Sequence, residues 1–222
     1  MLAKPKLGHY QRALAAITAI AAALVCIAAF AVYLRARIDR PQNGHYGDLS
    51  GWQTISGRWS AADAVLSNSN YGRGDMLIAQ HSNGKNYRVS ADIRFDFLFS
   101  ETHYGDAGLV FRATDPEKGV DSYRGYYAGV RPDSQTLVLG RASYDWRPLS
   151  LTRLAAPVSP SAWYHMEVSV KGCDIAVVFA PLEPGPQSHA NFHDDQCLQE
   201  GAVGLRSFYA QASWRNVKIE PL

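Results

Sequence analysis

Residues 105–141, GDAGLVFRATDPEKGVDSYRGYYAGVRPDSQTLVLGR, leave this chain little choice of fold. Residues 109–112, 126–130 and 136–139 are apolar runs of strand length, and Pro132-Asp133-Ser134 supplies turn chemistry between the last two. Three strands joined in this way form a meander, and a meander with an apolar face needs a second sheet to cover it. The rest of the chain beyond residue 50 supplies one. In 87–97, Val89, Ala91, Ile93, Phe95 and Phe97 alternate with Arg88, Ser90, Asp92, Arg94 and Asp96, a period of two with one buried and one polar face. Residues 163–170 alternate in the same way, and further short strands are expected at 52–55, 58–59, 65–66, 76–78, 147–152, 174–179, 202–208 and 213–219. Nothing past residue 40 has a helical period. The fold class is therefore all-β: a two-sheet antiparallel jelly-roll sandwich of about five to seven strands per sheet. Trp52 and Trp59 near its start and Trp214 near its end suggest that the terminal strands are neighbours.

The first fifty residues obey different rules. Residues 13–34 contain no charged side chain, and a helix of that length spans a hydrocarbon core about 30 Å thick. The expected organisation is a cytoplasmic tail (1–12), a transmembrane helix (13–34), a polar connector (35–50) and a β-sandwich (51–222). A cleaved signal peptide, with its cleavage site near Ala29-Phe30-Ala31, is the alternative. The helix is rich in alanine, and Ala15, Ala19, Ala22 and Ala23 form a small-residue side on which another helix can approach closely. Lys4, Lys6 and Arg12 before the helix nearly balance Arg35, Arg37 and Arg40 after it, so charge alone does not orient it. The cysteines help: Cys173 and Cys197 are an even pair in the globular part and suggest a disulfide in an oxidising compartment. That places the N-terminus in the cytoplasm and the sandwich in the periplasm or outside the cell. A net charge of +2, with scattered Lys and Arg, gives no footprint for nucleic acid.

Certain segments resemble a known superfamily when read in order. They are Trp52 with Gly57-Arg58-Trp59, residues 91–95 (ADIRF), 107–113 (AGLVFRA), 125–130 (GYYAGV), 139–141 (LGR), 163–172 and 201–206 (GAVGLR). Over residues 50–222 this order resembles the concanavalin A-like lectin/glucanase superfamily, and within it laminin-G-like, 3-keto-disaccharide hydrolase-like and fructan-binding domains. The resemblance implies the sandwich fold. It does not fix an activity, because such families include lectins, attached modules, hydrolases and structural domains.

Arg112 is the first candidate for a ligand contact. It follows Leu109-Val110-Phe111 on a central strand, and the resemblance places an arginine of this kind on the concave sheet of sugar-binding relatives. Arg94, Asp92 and Asp96 share its surface if the strands are in register, and a guanidinium beside carboxylates grips a polyol. The other reading is a cross-strand ion-pair ladder. Tyr123, Tyr126, Tyr127 and Trp146 are candidates for stacking against a sugar ring, or for packing. No catalytic residue is assigned. A hydrolase needs two placed carboxylates, and the Glu-x-Asp-x-Glu strand of laminarinase-type relatives is absent. Asp92 and Asp96 on one strand stand about 13 Å apart, too far for that chemistry; Asp92 with Asp106 or Glu167 is the remaining option. No metal site is assigned. Residues 189–195 read as a solvated loop or a cation patch. The resemblance to laminin-G-like domains leaves room for a structural calcium, with Asp106 as a ligand, but no loop carries dense oxygen ligands. No cofactor is expected. The functional expectation is a non-catalytic interaction subunit of a membrane assembly, with membrane-protein partners held through the alanine-rich helix and the sandwich. A tethered glycan-binding module and a glycoside hydrolase are the alternatives.

Overall fold

Period-two alternation is realised over 87–95 and 163–171 in the computed structural model, which describes residues 25–27, 46–80, 82, 84–98 and 105–222. The chain divides into two compact units, Met1–Arg40 and Pro41–Leu222. In the first unit only Val25, Cys26 and Ile27 are described, as helix with exposed side chains. The rest of the expected transmembrane helix, with its packing side at Ala15, Ala19, Ala22 and Ala23, lies outside the described residues, as do the tail and most of the connector. Among the described residues no helix is long and apolar enough to cross a membrane.

The described strands of the second unit are β1 (Trp52–Ser56), β2 (Trp59–Ala62), β3 (Val65–Asn68), β4 (Arg73–Ala79), β5 (Tyr87–Leu98), β6 (Asp106–Thr114), β7 (Arg124–Arg131), β8 (Thr136–Ser143), β9 (Trp146–Arg153), β10 (Trp163–Lys171), β11 (Asp174–Pro181), β12 (Ser188–His193), β13 (Ala202–Phe208) and β14 (Ala210–Pro221). They form two seven-stranded sheets, in the orders β1-β4-β13-β6-β7-β8-β9 and β12-β11-β10-β5-β14-β3-β2. Every pairing is antiparallel. The expected meander is β6-β7-β8, continued by β9. Leu77, Leu109, Phe111, Tyr126, Leu139 and Leu205 of the first sheet face Val89, Ile93, Met166, Val168 and Trp214 of the second across one apolar core. Removing such a buried aromatic side chain costs about 3–5 kcal/mol.

Two sequence expectations need correction. Trp59 and Trp214 do meet, with ring centroids 5.3 Å apart, because β14 pairs with β3, which pairs with β2. Trp52, however, sits on β1 at the edge of the opposite sheet, beside β4. Tryptophans mark the core but do not say which sheet reaches it. Residues 189–193, read as a loop or cation patch, belong to the edge strand β12, paired with β11. Its inward positions are Ser188, Ala190 and the partly buried Phe192, and one large apolar side chain among His, Asn and Asp residues is too little signal to stand out.

The Cys173–Cys197 disulfide is present, with Cα atoms 5.4 Å apart. It fastens the β10–β11 turn to a strap, residues 194–201, that links β12 to β13. Asp194 is buried in this strap. It accepts hydrogen bonds from the Tyr126 hydroxyl at 2.7 Å, Arg141 at 2.9 Å and the Gln196 amide at 3.2 Å. The Leu198 amide donates to the Tyr126 hydroxyl at 3.1 Å. Burial and the Asp194 carboxylate push the Tyr126 hydroxyl up to about 12. Burial works against the Asp194 charge, but the bonds from Tyr126, Gln196 and Arg141 outweigh it, and its carboxyl is held below the ordinary carboxylate range. A carboxyl depressed in the folded state contributes stability that is present above its unfolded value, near 3.9, and is lost as pH falls through the lower folded value. The protection of the Leu198 amide, the free-peptide exchange rate over its own rate at the same pH, is therefore expected to fall below about pH 4. In Asp194→Asn it is expected to be low already at neutral pH, with no acid step.

Candidate functional site

Strand alternation would send Arg112 outward, opposite to Leu109 and Phe111. The structure corrects this. The β6 register breaks between Phe111 and Thr114 against β7, and also shifts against β13, while Arg112 takes φ of +49°. The extra residue of this bulge turns the next side chains over. Ala113 lies with Val110 on the outer face, and Arg112 is fully buried. Its guanidinium donates to the backbone carbonyls of Leu198 and Lys85, both at 2.5 Å, and its amide donates to the Tyr87 hydroxyl at 2.9 Å. Tyr126 also points inward, stacked on Phe111. Arg112 and Tyr126 therefore hold the strap and the end of the sandwich together, and neither is offered to a ligand.

Asp92 and Arg94 lie on β5 in the other sheet, so they do not share a surface with the β6 candidates. Asp92 is nearly buried on the outer face of the second sheet. It accepts from Asn216 at 2.7 Å, meets His165 Nδ1 at 3.1 Å and pairs with Arg215 at 3.5 Å. Arg94 pairs with Asp96 at 2.5 Å and lies over the Trp163 ring at 4.8 Å. Glu167 pairs with Arg88 at 3.0 Å. This is the cross-strand ladder that was the alternative reading. Asp92 and Asp106 stand on outer faces of different sheets and do not form a carboxylate pair. An open groove of about 380 Å³ runs along β10–β12 past Lys171, Asp174 and His193. There His193 bonds Asp174 at 2.6 Å, and the two groups are exposed and satisfy each other. Among the described residues no three His, Cys, Asp or Glu side chains gather as a metal site.

The outer face of the first sheet is different. Val110, Ala113, Met76, Ile78, Tyr127, Ala142 and Tyr123 form a second apolar cluster there, with Trp146 packed against it. Gly129 and Gly140 make the floor: a Cβ on Gly129 would lie 2.1 Å from the Tyr127 hydroxyl, and one on Gly140 would lie 2.3 Å from the Trp146 ring. Both aromatic rings occupy space that any other residue would fill. Trp146 keeps part of its indole exposed and meets Tyr127 edge-on at 6.2 Å.

Beside these rings sits a charged cluster. Arg206 of β13 is 4% exposed. It pairs with Asp106 at 3.5 Å and Asp121 at 3.0 Å, and its guanidinium lies 4.5 Å above the Tyr127 ring. Asp106 also accepts from the Tyr127 hydroxyl at 2.7 Å and pairs with Arg131 at 3.4 Å. Burial opposes the Arg206 charge, but Asp106, the two tyrosines and Asp121 hold its pKa above the ordinary arginine value. Burial raises the Asp121 carboxyl, with Arg206 pulling it back down. Asp121, Val120 and Tyr123 come from the β6–β7 loop, residues 115–123, which folds over this face. A cavity of about 100 Å³ opens between Val120, Asp121, Arg131, Trp146, Arg206 and Phe208. Among the described residues, two buried polar atoms here have no hydrogen-bond partner: Arg206 Nε and the Tyr123 hydroxyl.

Of the sequence candidates for stacking, this face gathers Tyr123, Tyr127 and Trp146, with Tyr123 fully buried. It adds Arg206, Asp121 and Arg131, which sequence reasoning missed, and pairs Asp106 with Arg131 and Arg206. The missed signal was in 202–208: Val203 and Leu205 point inward, so a charged Arg206 had to cross to the outer face of a central strand.

Residues 42–220 match the family model of the 3-keto-alpha-glucoside-1,2-lyase-like domain. The chain belongs to this lyase-like family. No curated protein matches it in sequence. Among solved structures, a Bacillus subtilis protein of unknown function with a galectin-like fold is similar over 82% of this chain and 94% of its own, at 15% identity and TM-score 0.61. A putative glycosyl hydrolase from Parabacteroides distasonis is similar over 79% and 90%, at 14% identity and TM-score 0.55. Winged bean acidic lectin, complexed with methyl-alpha-D-galactose, is similar over 82% and 95%, at 10% identity and TM-score 0.54. At these identities the likeness establishes the fold that the lyase-like domain shares with lectins.

Proposed function

We propose that this chain is a carbohydrate-recognition domain, tethered to the cell membrane by the helix expected over 13–34 and facing the periplasm or the exterior. Its ligand lies on the outer face of the first sheet. The observation that carries this reading is a partly exposed Trp146 beside the fixed Arg131–Asp106–Arg206–Asp121 cluster. A sugar ring needs an apolar surface to lie on and directed donors and acceptors at its edge, and both stand side by side here. A cavity of about 100 Å³ takes the edge of one ring, not an extended chain. The family name and the lectin neighbour, whose own ligand is a galactoside, support the same class of ligand.

Binding is favoured over cleavage by how the carboxylates are engaged. Asp106 and Asp121 both pair with Arg206. A general acid must hold a proton, and a base or nucleophile must have a free lone pair aimed at substrate. A second reading, the interaction subunit of a membrane assembly, is favoured by one observation: Arg112 is committed to backbone carbonyls instead of to a ligand.

Titration of the full chain in mild detergent with a panel of neutral methyl glycosides tests the recognition reading. At least one glycoside is expected to bind, and Trp146→Ala is expected to weaken it about tenfold or more, because sugar stacking on an aromatic ring is lost. Equal affinity in Trp146→Ala, or co-purification with a membrane protein and no retention of any glycoside, would favour the second reading.

A further inference from the structure

Arg206 is 4% exposed, yet among the described residues part of its guanidinium finds no hydrogen-bond partner, as is also true of Arg112 and Arg215, neither of which lines this cavity. The Nε and one terminal nitrogen of an arginine form a fork that matches the two oxygens of a carboxylate. Here the fork is half used. One Asp121 oxygen takes Arg206 NH2 at 3.0 Å, NH1 turns to Asp106 at 3.5 Å, and Nε has no hydrogen-bond partner. An unpartnered buried N–H costs about 1–3 kcal/mol, so this atom is not neutral to the fold. It belongs to a residue that lines the cavity between Asp121, Arg131, Trp146 and Phe208.

Asp121 is also held differently from Asp106. Asp106 is part of strand β6 and is fixed there by the Tyr127 hydroxyl and Arg131. Asp121 sits on the 115–123 loop at φ of +54°, a left-handed turn conformation that aspartate adopts more readily than most residues. Among the described residues its one hydrogen bond to a guanidinium is the one to Arg206. A carboxylate on a loop, gripping one prong of a fork built for two, has the geometry of an internal stand-in for a ligand carboxylate.

We propose that this site takes a carboxylate-bearing ligand, an acidic sugar of the hexuronate class, whose carboxylate binds the Nε–NH2 fork of Arg206 in place of Asp121 while its ring lies against Trp146. The proposal rests on the outer face of the first sheet being the recognition face. Arg131, with 28% of its side chain exposed, stands at the cavity wall to offset the second negative charge. Exchange of one carboxylate for another keeps the charge of the buried cluster unchanged, and the ligand satisfies the donor that Asp121 leaves unpaired. The loop carboxylate sets the affinity, since it must leave before the ligand enters.

The test is calorimetric titration of the full chain and of Asp121→Asn with D-glucuronate, with methyl β-D-glucoside as the neutral sugar and acetate as a free carboxylate. D-glucuronate is expected to bind, and to bind about tenfold tighter to Asp121→Asn, where the competing charge is gone. Affinity for the neutral glucoside is expected to stay within about twofold between the two proteins. Acetate matching glucuronate in affinity and in its response to Asp121→Asn would support the carboxylate site and assign it to small acids instead of sugars. Asp121→Ser, with its thermal midpoint recorded, repeats the comparison should Asp121→Asn alter folding. Equal glucuronate affinity in wild type and both Asp121 variants would overturn the proposal. So would neutral sugar binding without glucuronate binding, which leaves the recognition face standing and removes only the carboxylate site.

Discussion

Arg206→Met is expected to lower the stability of the sandwich by about 3–5 kcal/mol, the usual cost of deleting one partner of a buried ion pair. Methionine fills much of the same volume, so packing loss contributes little. The cost comes from Asp106, which is 2% exposed and would keep only the Tyr127 hydroxyl and Arg131 at 3.4 Å. Asp121 would lose its guanidinium and with it the contact that holds the 115–123 loop to β13. Urea denaturation reads the change as a shift in midpoint at constant slope. The double variant Asp106→Asn/Arg206→Met should recover part of the loss, because the stranded charge is then removed. A single-variant loss under about 1 kcal/mol would mean that the cluster is solvated and is no built site.

Reduction of the Cys173–Cys197 bond is expected to cost a similar amount. The bond closes a loop with a sequence separation of 24 residues. Restricting a loop of that size in the unfolded chain is worth about 3.5 kcal/mol in the chain-entropy description. The strap adds a local effect. Its Leu198 carbonyl accepts from Arg112, and its Asp194 anchors Tyr126 and Arg141. Denaturation with and without dithiothreitol measures the global term, and Cys173→Ala/Cys197→Ala gives the same comparison without reductant. The Arg112 and Asp194 bonds should keep the reduced strap in place below the transition, so the loss is expected in the midpoint before it shows in native-state structure. An unchanged midpoint would contradict the chain-entropy account of this bond.

The fold was largely legible because the alternation is strong where strands are central. Residues 87–98 and 163–171 carry Val, Ile, Phe and Met at every second position, and both became long internal strands. β12 was missed for the opposite reason: an edge strand whose inward residues are Ser188, Ala190 and a single aromatic, Phe192, has a weak apolar signature. The site was half legible. Tyr127 and Trp146 were named, but Arg112 was placed on the wrong side because a one-residue bulge reverses the alternation, and nothing in Phe111-Arg112-Ala113 announces it. Arg206 and Asp121 lie 85 residues apart in the chain, and only the return of β13 beside β6 brings Arg206 under the β6–β7 loop. Such a pairing is a property of topology, which periodicity does not encode.

The most direct measurement of where this protein meets its ligand is amide hydrogen exchange on the full chain in mild detergent, with and without a mixture of neutral and acidic monosaccharides at saturating concentration. Slower exchange confined to the 115–123 loop and the Trp146 end of β9 is expected if the outer face of the first sheet recognises sugar. Exchange that does not change at all, or slows only on β5, β10 and β14 of the opposite sheet, would contradict it.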